Sequence, residues 1–216
     1  LHRLGLSRHN LVAVGDAEND LDMLTTAELS VAVANAVGSV KEMADVVLDE
    51  ENGRGVCQLL QRRRGSTWPM PLPERHDIVI GHFADGDAVR IPVSTRNILI
   101  QGESGAGKSY MAGLLIEKWS ERDYRSFIVD VEGDYLGLQG MCDVVVFGGS
   151  NPPDETVLST LLRWGSQSVV VDLSVSEGPL RTAYLREVPS LIGRLRSASG
   201  MPHWVVIDEA HATLGP

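Results

Sequence analysis

The sequence predicts an α/β protein with two parallel-sheet units. Short apolar runs alternate with helical stretches in both halves of the chain, which is the pattern of parallel strands joined by helices. Of the 216 residues, 43% are hydrophobic, 5% are aromatic and 22 are glycines. This balance provides enough apolar material for a core, and it favours aliphatic packing with tight backbone turns.

A proline-rich segment separates the two halves. Residues 61–76 have the sequence QRRRGSTWPMPLPERH, in which the prolines interrupt any helix or central strand. We therefore expect one domain at 1–60, a linker at 61–76 and a second domain at 77–216.

The order of the predicted elements supports a parallel sheet on each side of the linker. In the first domain we expect strands at 11–14, 30–34 and 46–48 and helices at 21–27, 37–44 and 55–63. In the second we expect a β-hairpin from 77–80 and 88–92, then strands at 97–101, 127–131, 144–147, 169–173 and 204–207. Helices are predicted there at 108–119, 155–164 and 180–198.

Charge and cysteine content exclude several classes of protein. The formal net charge is −10 and the isoelectric point is about 5.0, which argues against a surface for non-specific binding of nucleic acid or anionic membranes. Cys57 and Cys142 lack the spacing of a metal site or a disulfide framework, which suits a reducing cytoplasm.

No apolar run approaches the ~18 residues of a membrane helix. We expect a cytoplasmic protein without a membrane partner, and a piece of a longer chain because it begins at Leu1.

A glycine-rich octet follows the strand predicted at 97–101. It matches the pattern G-x-x-x-x-G-K-[ST] at every defined position and consists of Gly102, Glu103, Ser104, Gly105, Ala106, Gly107, Lys108 and Ser109. Glycines let successive backbone N–H groups surround a phosphate at a helix N-terminus. Lys108 can then reach the β- and γ-phosphates of a nucleotide, and the Ser109 hydroxyl can bind Mg²⁺. The octet predicts a site for ATP with Mg²⁺.

An acidic pair ends the last predicted strand. Asp208 and Glu209 follow the apolar run at 204–207. Asp208 can hold Mg²⁺ through water, and Glu209 can polarise the attacking water as a general base. Together with Lys108, Glu209 is the predicted catalytic group.

These motifs together resemble those of the HerA/FtsK-type motor ATPases. The resemblance covers about 77–216 and includes the octet, the run DVEGDY at 130–135 and the strand end at 205–211. It implies a partial RecA-like P-loop core that binds ATP and Mg²⁺, a homo-oligomeric ring, and frequently DNA translocation. The later strands, the sensor residue and the arginine finger of that family have no counterpart in the sequence, so translocation of DNA stays open.

A second acidic loop follows the first predicted strand. Asp16, Glu18, Asn19 and Asp20 place carboxylate and amide oxygens directly after the apolar run at 11–14. Such hard oxygen ligands suit Mg²⁺. A polar connection in which Asn19 or Asp20 caps a helix explains the same residues, and spacing alone does not separate the two interpretations.

The run GDAENDLDML at 15–24 resembles the fourth motif of haloacid dehalogenase (HAD) superfamily phosphatases. The runs VAVANA at 31–36 and ENGRGV at 51–56 continue the pattern of the sugar-phosphatase-like branch. The resemblance covers about 1–60 and implies a partial Rossmann-like unit, in which Asp16 and Asp20 help to hold the catalytic Mg²⁺ and Asn19 lies on the phosphate side. The Asp-x-Asp nucleophile of that family does not precede this motif, and the run at 127–134 imitates it only superficially.

Three functions follow from these patterns. The first is a P-loop module that binds and hydrolyses ATP and is attached to a HAD-type segment. The second is a Mg²⁺-dependent phosphomonoesterase whose nucleophile lies upstream and which the P-loop half regulates. The third is a non-catalytic module that assembles in response to nucleotide. An upstream Asp-x-Asp strand indicates the second function, and ring formation without phosphate release indicates the third.

Overall fold

The computed structural model describes residues 1–64, 74–93, 97–140, 143–149, 152–164 and 167–210, so most of the predicted linker lies outside the described residues. The chain divides into two compact units, of which Ser7–Thr95 forms the N-terminal unit. Leu1–Leu6 together with Arg96–Pro216 form the C-terminal unit. The domain limits expected from the sequence stay predictions.

A parallel sheet of three strands forms the centre of the N-terminal unit. The strands lie in the order β1 (Val12–Gly15), β2 (Leu29–Ala32) and β3 (Val46–Val47). In their registers, Val14 lies beside Val31 and Val31 beside Val46. The helices of this unit are α1 (Leu21–Thr26), α2 (Gly38–Met43) and α3 (Asn52–Arg64). Each of the elements predicted here is confirmed, with its ends shifted by a few residues.

The core of the N-terminal unit lies between this sheet and its helices. Strand β2 is buried along its whole length, as expected for the central strand of a parallel sheet. Leu24 of α1, Val31 of β2 and Val40 of α2 are fully buried in one apolar cluster. This packing fixes the carboxyl end of β1, where the first acidic loop begins.

The predicted β-hairpin is confirmed and belongs to the N-terminal unit. It consists of β4 (Ile78–His82) and β5 (Ala88–Ile91), which pair antiparallel. In its turn Gly86 has a φ of 95°, a conformation that favours glycine. Asp85 Oδ1 accepts a hydrogen bond from the Asp87 amide at 3.1 Å.

A parallel sheet of four strands forms the centre of the C-terminal unit. Its strands lie in the order β7 (Val144–Gly148), β8 (Ser168–Asp172), β6 (Ser126–Asp130) and β9 (Trp204–Ile207). The helices are α4 (Lys108–Ser120), α5 (Glu155–Trp164) and α6 (Gly178–Ser199). Because β6 and β9 are parallel neighbours, their carboxyl ends lie side by side. None of the described helices is long and apolar enough to cross a membrane.

Apolar packing joins these helices to the sheet. Phe127 of β6, Leu158 of α5 and Ile192 of α6 belong to one buried cluster. Trp119 of α4 stacks on Trp204 of β9, with ring centroids 4.0 Å apart and planes 8° from parallel. This stack holds the helix that follows the glycine-rich octet against the strand that precedes the acidic pair.

The strand predicted at 97–101 is wrong. This segment has irregular backbone and pairs with no strand in the part of the chain that the structure describes, and Leu99 is 84% exposed. The apolar pattern predicted a buried strand, but a strand also requires hydrogen bonds to a neighbour. Among the described strands, β9 pairs only with β6 and lies at the sheet edge. The octet therefore follows an irregular segment, whereas the helix predicted after it is confirmed.

Candidate functional site

The glycine-rich octet forms an exposed turn ahead of α4. Gly105 and Gly107 have φ values of 76° and 86°, in the left-handed region that glycine adopts without strain. Helix α4 begins at Lys108, so the octet ends in the first turn of a helix, where backbone N–H groups lack intrahelical partners. The Lys108 ammonium donates a hydrogen bond to the Glu103 carbonyl oxygen at 3.2 Å. Left-handed glycines before a helix N-terminus are features that phosphate-binding turns use.

One buried carboxylate fixes the loop after β6. The Asp130 side chain is 0% exposed, and its two oxygens accept four backbone N–H groups. Oδ1 accepts from Glu132 at 3.3 Å, from Gly133 at 2.7 Å and from Asp134 at 3.2 Å. Oδ2 accepts from Tyr135 at 2.9 Å. Three of the four hydrogen bonds are to Oδ1 and one is to Oδ2, so the backbone of the loop folds around this carboxylate.

Three acidic side chains meet where β6 and β9 end. Each of Glu132, Asp134 and Asp208 offers a carboxylate oxygen within 4.8 Å of the others. Burial raises the pKa of Asp208, the Glu209 amide opposes that rise, and the carboxylates of Asp130, Glu209 and Asp134 add to it. A group of crowded carboxylate oxygens is the ligand type that Mg²⁺ prefers.

Tyr135 is the last residue of the loop that Asp130 anchors. Its side chain is 3% exposed. Burial raises the pKa of the Tyr135 phenol, the nearby Asp208, Asp130 and Asp134 raise it further, and the Ser109 side chain acts in the opposite direction. Ser109 and Asp208, which the sequence predicts as two ligands of one Mg²⁺, therefore share Tyr135 as a neighbour.

Glu209, the predicted general base, lies next to this group and is partly buried. Its φ of 49° is unusual for a residue with a side chain. Its amide donates to Asp208 Oδ1 at 3.0 Å. Left-handed backbone at a non-glycine residue is found preferentially at functional sites.

The first acidic loop is folded around Asp20. The Asp20 Oδ2 accepts the amides of Asp16 at 2.9 Å and Ala17 at 3.2 Å, and Asn19 Nδ2 donates to its Oδ1 at 3.3 Å. These backbone hydrogen bonds hold the pKa of Asp20 below its usual value. A Cβ added to Gly15 would lie 2.6 Å from the Asp20 Cβ, so glycine is required for this close approach. Asp20 precedes α1 but makes no side-chain hydrogen bond that caps it, and its carboxylate binds the upstream amides instead. Asp16 follows β1 and is exposed.

Sequence reasoning assigned no role to Glu132, Asp134 and Tyr135. They lie in the run DVEGDY at 130–135. In the sequence this run served only as part of the resemblance to the HerA/FtsK-type ATPases. The signal that could have found them is the position of this run directly after a strand. Its significance depends on the pairing of β6 with β9, which no local pattern predicts.

Comparison with known families matches both halves of the chain. Residues 1–60 match the model described as haloacid dehalogenase-like hydrolase. Residues 78–176 match the model described as Helicase HerA, central domain. Both resemblances are confirmed. The HerA-like segment includes the octet and the loop after β6, and the HAD-like segment includes the loop of Asp16 and Asp20.

Similar curated proteins are found for the HAD-like segment. A phosphoglycolate phosphatase of Methanopyrus kandleri is 52% identical over 60 residues, which are 28% of this chain and 26% of that protein. A phosphoglycolate phosphatase of Sulfurisphaera tokodaii is 43% identical over 51 residues, 24% of this chain and 23% of that protein. The chain thus spans about a quarter of the length of these relatives. A crystal structure of a haloacid dehalogenase-like hydrolase from Bacteroides thetaiotaomicron is 35% identical, covers 29% of this chain and 24% of its own, and has a TM-score of 0.28.

Proposed function

We propose that the HerA-like half binds ATP with Mg²⁺ and hydrolyses it. The observation that carries this proposal is the acidic group at the ends of β6 and β9, where Glu132, Asp134 and Asp208 each offer a carboxylate oxygen within 4.8 Å of the others. The stack of Trp119 on Trp204, with ring centroids 4.0 Å apart, packs the helix that begins in the octet against the strand that precedes Asp208. A nucleotide site needs such a phosphate loop, a metal-ligand hydroxyl and an acidic strand end.

The residues take the following roles in this proposal. The backbone N–H groups of the octet bind the phosphates. The Lys108 ammonium exchanges its hydrogen bond with the Glu103 carbonyl for contacts with the β- and γ-phosphate oxygens, whose charge it neutralises. Ser109 and Asp208 hold Mg²⁺, with Glu132 and Asp134 close enough to contribute oxygen ligands or hold its waters. The metal supplies charge neutralisation on the transferring phosphoryl group. Glu209 accepts a proton from the attacking water.

The match to the HerA model supports the assembly that the resemblance implied. We propose a homo-oligomeric ring in the full-length protein, with DNA as the partner to be tested. A cytoplasmic location is part of the proposal and rests on the sparse, widely spaced cysteines.

Titration calorimetry with Mg-ATP tests the binding step. Lys108→Ala removes a charged partner of the phosphates, so we expect its affinity to fall by about tenfold or more. Lys118→Ala is the matched control, because Lys118 lies on the same helix in an exposed ion pair with Glu121 at 2.8 Å. Equal affinities of the folded wild type and Lys108→Ala would refute the site.

Phosphate release tests the hydrolysis step. We expect Glu209→Gln to retain binding of Mg-ATP while release of phosphate falls, because the amide cannot accept the proton of water. Binding and ring formation by the wild type without any phosphate release would instead indicate a nucleotide-dependent assembly module.

A second candidate is a Mg²⁺-dependent phosphomonoesterase. It is favoured by the 52% identity of the HAD-like segment to a phosphoglycolate phosphatase. In this candidate Asp16 and Asp20 hold Mg²⁺ and Asn19 lies on the phosphate side. The full-length protein would release phosphate from phosphoglycolate, and Asp16→Asn would abolish that activity while Lys108→Ala would leave it. The opposite pattern, with ATP as substrate, supports the first proposal.

A further inference from the structure

Asp130 is a buried carboxylate at the start of the loop that follows β6. It is 0% exposed and ends β6, and it accepts N–H groups from four successive residues of the following loop. Hydrogen bonds to an ionised acceptor are stronger than those between neutral groups. Four of them converging on one buried carboxylate hold the backbone of residues 132–135 in a single path.

That path determines where the loop side chains lie. Gly133 has a φ of 87° in the middle of the loop, which turns the backbone. On either side of it, Glu132 and Asp134 bring their carboxylates to within 4.8 Å of Asp208. One residue further, Tyr135 is buried, with 3% of its surface exposed. The positions of the Glu132 and Asp134 carboxylates beside Asp208 therefore depend on the backbone that Asp130 anchors.

We propose that Asp130 is a positioning residue for the cation side of the nucleotide site. The Asp130 oxygens accept backbone N–H groups of the loop, and its effect on the cation passes through Glu132 and Asp134. This inference rests on the proposed function. A purely structural role predicts that loss of Asp130 affects binding with and without the cation equally. The positioning role predicts that binding with the cation is weakened selectively.

The test compares ATP affinity in Mg²⁺ with ATP affinity in EDTA, both by titration calorimetry on the whole chain. Asp130→Asn keeps the shape of the side chain but replaces one acceptor oxygen by a donor that faces an N–H group. We expect affinity in EDTA to stay within about twofold of wild type, because the octet is intact. The ratio of affinities with and without Mg²⁺ should fall about tenfold or more, the usual effect of removing a group that supports metal ligands.

Asp172→Asn is the matched control. Asp172 ends the neighbouring strand β8, lies in register with Asp130, and accepts one loop amide, that of Ser174, at 2.8 Å. We expect this variant to keep the wild-type ratio. An equal fall in both variants, or no fall in folded Asp130→Asn, would overturn the inference while leaving the ATP site in place. Failure of the wild type to bind ATP in either buffer would refute the proposed function itself.

Gly133→Ala tests the same loop if Asp130→Asn does not fold. The added Cβ would lie 3.4 Å from Ser174 Oγ, which is ordinary contact, but alanine disfavours the left-handed backbone at this position. The buried carboxylate stays unchanged while the loop path shifts. We expect the Mg²⁺-dependent ratio to fall and the affinity in EDTA to hold. A folded Gly133→Ala variant with the wild-type ratio would overturn the inference.

Discussion

A carboxylate in the N-terminal unit provides a sharp test of how this fold is held together. Asp45 Oδ2 accepts from the Ser30 amide at 2.8 Å and the Ser30 hydroxyl at 2.7 Å. Arg75 donates to both oxygens, from Nε at 2.9 Å and from a terminal nitrogen at 2.8 Å. Arg75 also donates to the Ala27 carbonyl at 3.0 Å. Asp45 thus joins strand β2 to a residue that the sequence places in the linker.

The perturbation is Asp45→Asn, which preserves volume and removes the charge. The Asp45 side chain is 9% exposed, so it loses charge-assisted hydrogen bonds in a largely dry environment. The Arg75 side chain is 40% exposed and can be hydrated again after the change, which reduces the loss. We expect the free energy of unfolding to fall by about 2 kcal/mol.

Hydrogen exchange measured by mass spectrometry is the assay, because it reports on each unit separately. A loss of about 2 kcal/mol corresponds to roughly 30-fold faster exchange in β2 when exchange proceeds through unfolding. Peptides from β8, in the other unit, provide the internal reference. Asp49→Asn is the control variant, since Asp49 is exposed and accepts from the Gln58 side chain at 2.9 Å. Less than threefold acceleration in β2, or the same change in both variants, would refute the reasoning.

The same network has a defined pH dependence. Burial opposes ionisation of Asp45, but the hydrogen bonds from Arg75 and Ser30 outweigh it and hold the pKa of Asp45 below its usual value of 3.8. A carboxyl whose pKa is lowered on folding stabilises the fold above its unfolded pKa, and that stabilisation is lost as the pH falls through the folded pKa. In urea unfolding, the stability difference between wild type and Asp45→Asn should therefore shrink as the pH falls below about 4. A difference that stays constant down to pH 2 would contradict this assignment.

Three further changes test other contacts. Gly15→Ala should destabilise the N-terminal unit by about 1–3 kcal/mol in urea unfolding, because its Cβ would lie 2.6 Å from that of Asp20. Trp119→Ala should cost the C-terminal unit about 3 kcal/mol and alter the fluorescence of its stacking partner Trp204; unchanged fluorescence would contradict the stack. Burial lowers the pKa of His76 from 6.5, so wild type should lose stability as the pH falls below about 6.5, and His76→Gln should flatten that slope.

Local patterns were sufficient for most of the elements. The octet, with its glycines and Lys108, predicted the turn and the start of α4, because both depend on backbone freedom and on residues close in sequence. Alternation of apolar runs predicted the strands that became β6 to β9. The same kind of pattern predicted a strand at 97–101, and this prediction was wrong. The run pairs with no strand among the described residues, and Leu99 is exposed.

The site itself was predictable only in part. Ser109, Asp208 and Glu209 stand out because each belongs to a short motif with a known chemical purpose. Glu132, Asp134 and Tyr135 carry no such signal, since their importance depends on which strand lies beside β6. The contact of Arg75 with Asp45 was not predictable from the sequence either. A basic residue after prolines is expected to be exposed to solvent rather than bound to a largely buried carboxylate.

By itself, then, the sequence determined the α/β class, the phosphate-loop turn and the two family resemblances, because these depend on contiguous residues and on backbone preferences. Only the tertiary structure decided that β6 pairs with β9, that Asp130 anchors its loop, and that Asp45 binds Arg75. The physical reason is that these contacts join residues far apart in the chain. Their free energy depends on burial and on neighbours that no local window of sequence contains.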